Sequence, residues 1–171
     1  MTRVIAFTHL PFAGFFFAAA TARAVLLSIL PLKALSLLGS AQHVSVLFFV
    51  VSVCGIGASL GIYSILRHIS LRTGFLISSL AMVISIALLW TQDLWTFSLG
   101  MMFHVFGITS MEVILSLHVM QKIPRSQLSE FEPLRMVSTV LALSIGPWLG
   151  VYLQSRYADW LPFAVAAAGV L

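Results

Sequence analysis

Six long apolar runs, separated by short polar segments, form the pattern of this sequence. Each run is apolar on all sides, and the first five approach or exceed the roughly 20 residues that a helix needs to cross a bilayer. Strands of a membrane barrel would instead alternate apolar and polar residues over about ten positions. The pattern therefore predicts an all-α fold, a polytopic membrane helix bundle. The predicted helices are residues 7–30, 44–66, 73–90, 94–120, 134–153 and 160–171.

The ends of two predicted helices depend on single features. We expect the first helix to end at Pro31, because proline lacks the backbone donor that a helix interior needs. The sixth run begins near Trp160, is too short to span a bilayer, and is still apolar at Leu171. The simplest interpretation is one domain over residues 1–171 whose last helix is truncated. The alternative is a short re-entrant tail.

The composition indicates that lipid, and not water, surrounds most of the chain. Hydrophobic residues make up 60% of the chain and charged residues 8%, and the mean hydropathy is +1.08. A soluble domain has about 25% charged residues. Backbone groups in lipid must be satisfied within each segment, which favours helices. We therefore expect a lipid bilayer to be the main partner of the chain.

The basic residues indicate how the bundle is oriented. The positive-inside rule is satisfied with the N-terminus in the cytoplasm. Of the basic residues in loops and at helix ends, only Lys33 and Arg156 then fall outside. The residues that fall inside are Arg3, Arg67, Arg72, Lys122, Arg125 and Arg135. This topology accounts for the net charge of +4, so we expect no nucleic-acid partner. The expected location is the inner membrane of a bacterium.

Three ionisable residues lie within the predicted spans, at Arg23, His104 and Glu112. Charges inside membrane helices are costly and usually face the bundle interior or a cavity. From the predicted helix ends, Arg23 and His104 lie at similar depths, roughly 12 and 14 Å from one boundary at 1.5 Å per residue. Arg23 is interpreted as a cavity-lining residue for a polar or anionic substrate, or as a structural arginine. Glu112 is either a proton-coupling residue or the structural partner of Arg72 or Arg135.

The segment Gly57-Ala58-Ser59-Leu60-Gly61 matches the G-x-S-x-G pattern of serine hydrolases. That pattern needs a strand–turn–helix context, whereas this segment lies inside a predicted membrane helix. Gly57 and Gly61 instead predict a close-packing face between helices. The alternative is an intramembrane serine protease, for which His104 is the only candidate base. We expect no catalytic residue, no metal site and no cofactor, and the lone Cys54 has no partner for an internal disulfide.

The fifth predicted helix contains Gly146, Pro147 and Gly150 within "LALSIGPWLGVYL". Pro147 leaves the carbonyl of Leu143 without its usual partner and predicts a kink. Gly146 and Gly150 predict a close neighbouring helix. The alternative is a proline kink with no role in function.

This element resembles one in the major facilitator superfamily of transporters, written G-x-x-x-G-P-x-x-G-G, which occurs mostly in proton-coupled exporters. Three positions match, and Ala142 and Val151 replace the first and last glycines. The stretch "FHVFGITSMEV" is similar to the family's R-x-x-q-G element, with Gly107 in place and His104 where arginine is usual. "TARAVLLSILP" is similar to the first helix of exporter-like members. The loop "GIYSILRHISLRTG" keeps Gly61, Arg67 and Arg72 of the family's signature but has no aspartate.

The resemblance implies the N-terminal six-helix half of a twelve-helix transporter, built from two inverted three-helix repeats, with helix 2 as the neighbour of helix 5. It implies secondary transport of a small-molecule substrate by alternating access, as proton-coupled efflux. The substrate or proton path would include Arg23, His104 and Glu112, and transport would need the missing C-terminal half. The alternative is a non-transporting membrane module that acts only in protein interaction.

Overall fold

The structure, a computed structural model, describes residues 2–169 of the chain, and within them the side chains of residues 12–169 except 63, 65, 66 and 125. The regular elements of this range are six helices and no strands. Five of the helices are long and apolar enough to cross a membrane, which confirms the predicted all-helical membrane bundle. The predicted extension of the sixth helix to Leu171 lies outside the described residues. The helices are α1 (Thr2–Leu38), α2 (Ala41–Leu66), α3 (Leu71–Leu89), α4 (Leu94–Lys122), α5 (Arg125–Arg156) and α6 (Leu161–Ala168).

The first helix was predicted to end at Pro31, but it continues to Leu38. Most residues after the proline are apolar, and Ala34 is fully buried. Proline is tolerated within a membrane helix because neighbouring groups satisfy the backbone carbonyl that it frees. The stop signal is Gly39, which has a φ of 65° and donates to the Leu35 carbonyl at 2.8 Å. This is a left-handed C-cap, a conformation that glycine adopts without steric penalty.

The fifth helix begins at Arg125 rather than at the predicted Leu134. Its polar first turns suggested a loop, but they carry Phe131, which is 1% exposed. The Phe131 ring packs against Phe12 and Phe16 of α1, with ring centres 6.5 and 6.2 Å away. Leu128 of the same extension also packs against the core, so the inner face of this polar segment is apolar.

Two helices, α1 and α4, carry most of the packing. α1 packs chiefly against α5 and also contacts α6, α2 and α4. α4 packs chiefly against α3 and then against α2. Glycines permit the close approach of α4 to α3, since a Cβ at Gly107 would overlap Met82 and one at Gly100 would crowd the backbone of Leu89.

The connections divide the bundle into two ends. The basic end contains the α2–α3 turn and the α4–α5 connection, and the basic residues there include Arg67, Arg72, Lys122 and Arg125. The tryptophan end contains the other connections, with Trp90, Trp95 and Trp160. At the basic end, the rings of Phe12 and His118 lie 5.9 Å apart. At the tryptophan end, Lys33 Nζ donates to the Trp90 carbonyl at 2.9 Å. The N-terminal part of α1 therefore lies beside the last turns of α4, and its C-terminal part lies beside the end of α3.

Candidate functional site

An ion pair between α1 and α4 joins two of the three predicted interior residues. Arg23 Nη1 donates to Glu112 Oε1 at 2.5 Å. Arg23 lies within the apolar span Phe12–Leu38, and Glu112 lies within Leu94–Lys122. The two side chains are 40% and 56% exposed. Because charges at such positions avoid lipid tails, an exposed pair marks a surface that we expect water or protein to cover.

This pairing corrects the structural partner expected for Glu112. The sequence suggested Arg72 or Arg135, but neither bonds to Glu112 among the described side chains. Arg135 bonds to Glu132 on its own helix, with Nε 3.1 Å from Oε1. Residues three apart on a helix face each other, so this pair forms without help from another element. Arg23 remains as the cation that α1 brings to α4.

Two cavities meet at the ion pair. The smaller, about 230 Å³, is walled by α1, α2 and α4 and includes Arg23 and His104. The larger, about 650 Å³, is walled by α1, α4 and α5 and includes Glu112, Arg135 and Thr139. A recess of about 40 Å³ contains both members of the pair. The pair therefore stands between the two cavities.

His104 is held by α3. Its side chain is buried, and the residue is 5% exposed. Nδ1 lies 3.4 Å from Ser85 Oγ, and that hydroxyl donates to the Met82 carbonyl at 2.8 Å. With the hydroxyl proton on the Met82 carbonyl, Ser85 Oγ is left as an acceptor for a ring N–H at Nδ1. His104 borders the same cavity as Arg23 but has no hydrogen bond to Arg23 or Glu112 among the described side chains, and its place in a substrate path stays a prediction.

Arg135 is a cavity residue that the sequence did not identify. Its guanidinium carbon lies 5.3 Å from the centre of the Phe16 ring on α1, and both residues line the larger cavity. The signal was the spacing of Glu132 and Arg135, which is favourable only on a helix. The predicted fifth helix began at Leu134, which left Glu132 in a loop, where this spacing carries no meaning.

The glycine–proline element of α5 packs against α1 and not, as predicted, against α2. A Cβ at Gly146 would overlap Ala24 of α1, and one at Gly150 would overlap the α1 backbone. Ser28 Oγ of α1 donates to the Pro147 carbonyl at 3.0 Å. The small residues therefore make the close helix contact that was predicted, but with α1 and not with α2.

The predicted contact of α2 with α5 through Gly57 and Gly61 is wrong within this chain. No atom lies within 4 Å of a Cβ built at either glycine. Gly55 is the glycine of α2 that meets a neighbour, Val105 of α4. Residues two apart on a helix point roughly 200° away from each other, so α2 turns Gly55 inward and Gly57 outward.

The two groups required by the serine protease alternative are bonded elsewhere. Ser59 Oγ donates to the Gly55 carbonyl at 2.9 Å, and His104 Nδ1 faces Ser85. Neither group is hydrogen-bonded to the other in the described part of the chain. A nucleophile and its base need that contact, directly or through one water.

Among the side chains that the structure describes, the basic residues of the α2–α3 turn have no acidic partner. Arg67 and Arg72 are both exposed, and the two ion pairs among the described side chains involve other residues. The turn leads into α3 through Ser70, whose Oγ accepts from the Thr73 N–H at 3.1 Å. The sequence already put a gating role of this turn in doubt, because it has no aspartate there, and no ion pair among the described side chains involves the turn.

Comparisons of the chain with protein families, with curated proteins and with solved structures give no match. The functional interpretation therefore depends on the geometry of the ion pair and its cavities.

Proposed function

We propose that this chain is the N-terminal six-helix half of a secondary transporter of the major facilitator type. In this proposal it moves a small solute by alternating access, as proton-coupled efflux, together with a second six-helix half. The observation that carries the proposal is the Arg23–Glu112 ion pair, which lies at mid-helix and is exposed.

The surroundings of the pair support a solute path. A pair exposed to lipid tails would be strongly unfavourable, whereas one at a water-filled cavity is tolerated. The cavity beside Glu112, about 650 Å³, is of the size that small-molecule sites have. It also carries hydroxyl and guanidinium groups, from Thr109, Thr139 and Arg135. Such groups can orient a polar solute within an otherwise apolar wall.

The proposal includes two inverted repeats, α1–α3 and α4–α6. α1 packs against α5 and α6, and α4 packs against α2 and α3, so exchanging the repeats reproduces these four contacts. The exchange does not reproduce how closely the helices pack, because the main partner of α1 is α5 whereas the main partner of α4 is α3.

The uncovered faces of α2 and α5 support a second half. These two helices are the least buried of the five apolar spans. Gly57 and Gly61 face open space on α2, and α5 exposes apolar residues such as Val140 and Ile145. Small residues at an exposed helix face favour close contact with another helix. We assign these faces to the second half.

Glu112 is the proposed site of proton coupling. Protonation would neutralise its carboxylate and remove the charge that holds Arg23. The guanidinium would then be free to bind an anionic or polar group of the solute. In the proposed orientation the basic end faces the cytoplasm of a bacterial cell, where positive charge is favoured.

The test begins with the reading frame beyond Leu171. If it continues into six further apolar spans, the longer product is reconstituted in vesicles with an imposed proton gradient and screened for solute flux. Glu112→Gln should abolish gradient-driven flux, while Glu130→Gln, a change of an exposed acid outside the cavities, should leave it intact. Flux that survives Glu112→Gln would contradict the coupling role. A product without any flux across the solute panel would favour the non-transporting membrane module.

A further inference from the structure

His104 lies on the face of α4 that packs most closely against α3. Gly100, His104 and Gly107 follow one another at spacings of four and three residues, so they share that face. A Cβ at Gly100 would crowd the backbone of Leu89, and one at Gly107 would overlap Met82. The close contacts on both sides of His104 therefore fix the position of its ring against α3.

Ser85 is the residue of α3 that meets this ring. It is fully buried, and its Oγ lies 3.4 Å from His104 Nδ1. Because the hydroxyl proton is used on the Met82 carbonyl, Oγ accepts the ring proton from Nδ1. A neutral imidazole has one N–H and one acceptor nitrogen, so Nε2 is the acceptor. A second proton there would bury another positive charge in the cavity that contains Arg23, which is unfavourable.

The acceptor nitrogen of His104 has no partner among the described residues. The side-chain atoms of that range that are buried without a partner are the hydroxyls of Ser79 and Ser110. Nε2 is not one of them, so it reaches the cavity of about 230 Å³ that His104 lines together with Arg23. A buried acceptor without a partner is unfavourable, and Nε2 therefore favours an occupant that donates a hydrogen bond.

Two hydroxyl groups of the same cavity are acceptors as well. Ser52 and Thr109 line it, and each hydroxyl donates at 2.7 Å to the carbonyl four residues earlier in its own helix. Their protons are thus used, and lone pairs remain for an occupant. The donors of the cavity are the N–H groups of Arg23, whose guanidinium has five and whose Nη1 bonds to Glu112.

We propose that Ser85 is a positioning residue that holds His104 as a hydrogen-bond acceptor, so that the cavity selects organic anions that also carry an N–H or O–H donor. The anionic group lies on Arg23 and the donor on His104 Nε2. The proposal rests on the proposed solute path and names the substrate class of that path. An anion without a donor would displace water from Nε2 and leave that acceptor unpaired, which is how a polar site rejects an analogue.

The first test reads the tautomer directly, by nitrogen NMR of the purified chain in lipid nanodiscs with isotope-labelled histidine. The chain has five histidines, and His104→Gln identifies the signals of this one. We expect the proton on Nδ1 in the wild type and on Nε2 in Ser85→Ala, where Nδ1 has lost its acceptor. Ser78→Ala is the matched control, because Ser78 is also buried on α3 but its hydroxyl bonds to the Gly74 carbonyl.

The second test measures selectivity on the same samples. The probes are pyrrole-2-carboxylate and pyrrole-3-carboxylate, each compared with the furan carboxylate of the same substitution, in which an ether oxygen replaces the N–H. We expect the better pyrrole isomer to bind about fivefold more tightly than its furan match, the ratio that one net hydrogen bond gives. Ser85→Ala should remove this preference, since an Nε2–H no longer accepts, and Ser78→Ala should keep it.

The proposal is overturned by a wild-type proton on Nε2, or by the same tautomer in Ser85→Ala. Equal affinity for pyrrole and furan, or binding of none of the four probes, would overturn the substrate class. Neither test needs flux, so the two proposals fail separately. A longer product without flux that keeps the tautomer and the preference would contradict transport alone, whereas flux with the proton on Nε2 would contradict this inference alone.

Discussion

Ser28 on α1 donates a hydrogen bond of 3.0 Å to the carbonyl oxygen of Pro147 on α5. The bond is possible because the glycines at 146 and 150 bring the two backbones together. In lipid the hydrophobic effect does not drive helices together, so their association depends on close packing of small residues and on interhelical hydrogen bonds. The α1–α5 contact is therefore expected to tolerate little added volume.

Gly150→Leu should destabilise the bundle by about 1–3 kcal/mol, because the new side chain must displace the backbone of α1. The measurement is unfolding of the purified chain in detergent. Gly57→Leu is the matched control: it adds the same side chain on α2, where no atom lies within 4 Å of the added Cβ. Equal losses in the two variants would show that the cost arises from glycine replacement and not from the α1 contact.

Pro147→Ala should leave membrane insertion intact, since alanine restores a helix donor and relieves the clash of the proline ring. The Ser28 bond should persist, because its acceptor is a backbone carbonyl. If the proline sets a functional bend in the proposed transporter, the longer product should show leak or lost coupling at normal abundance. Pro133→Ala is the control, since it changes an exposed proline on the same helix. Wild-type coupled flux in Pro147→Ala would leave the element without a mechanism.

The Arg23–Glu112 pair can be measured by a double-mutant cycle. Arg23→Gln and Glu112→Gln should each lower stability, and the double variant should lose less than the sum of the two. We expect an interaction energy of about 0.5–1 kcal/mol, a value that allows for the partial exposure of both groups. Unfolding in detergent gives all four energies. Strict additivity would mean that the close contact contributes nothing.

Lys33 should hold the tryptophan end together. Its ammonium donates to the Trp90 carbonyl and lies 5.5 Å from the centre of the Phe163 ring on α6. Lys33→Met should destabilise the docking of α6 by about 1 kcal/mol and expose the segment before α6 to protease. Lys122→Met, at the opposite end, should leave cleavage there unchanged. Identical cleavage of both variants and the wild type would exclude this role.

The cap of α4 should make stability depend on pH. The backbone N–H of Thr96 and then its hydroxyl donate to Asp93, and these bonds hold the pKa of Asp93 below its usual range. Because the folded pKa is the lower one, the ionised cap stabilises the fold above about pH 4 and the contribution is lost on further acidification. Asp93→Asn keeps a capping side chain but does not titrate. The stability difference between wild type and variant should therefore shrink from pH 6 to pH 3, and a constant difference would contradict the cap.

The helices could be predicted from the sequence because apolar length alone requires them in lipid. Their ends could not be predicted as reliably. Pro31 is a strong stop signal in water, but a bundle can compensate for its missing donor, whereas a left-handed glycine such as Gly39 ends a helix by itself. The polar start of α5 concealed Phe131, whose burial depends on α1 being beside it.

The candidate site was predicted by residue but not by partner. Arg23 and Glu112 were identified because charges within membrane spans are rare. Their pairing depends on the relative depth of α1 and α4, and the misplaced end of α1 shifted that depth. The neighbour of Gly146 likewise depends on which helix lies alongside α5. The spacing of small residues along α5 predicts a close contact but does not identify the helix that makes it.

The separation of Arg23 and Glu112 along the chain has a consequence for biosynthesis. The two residues are 89 positions apart, and at about 5–20 residues per second the ribosome needs roughly 4–18 s to make the second after the first. During that interval α1 is in the membrane with a guanidinium and without its carboxylate, and its largest packing partner, α5, is made later still. The nascent α1 should therefore stay beside the insertion machinery until α4 arrives.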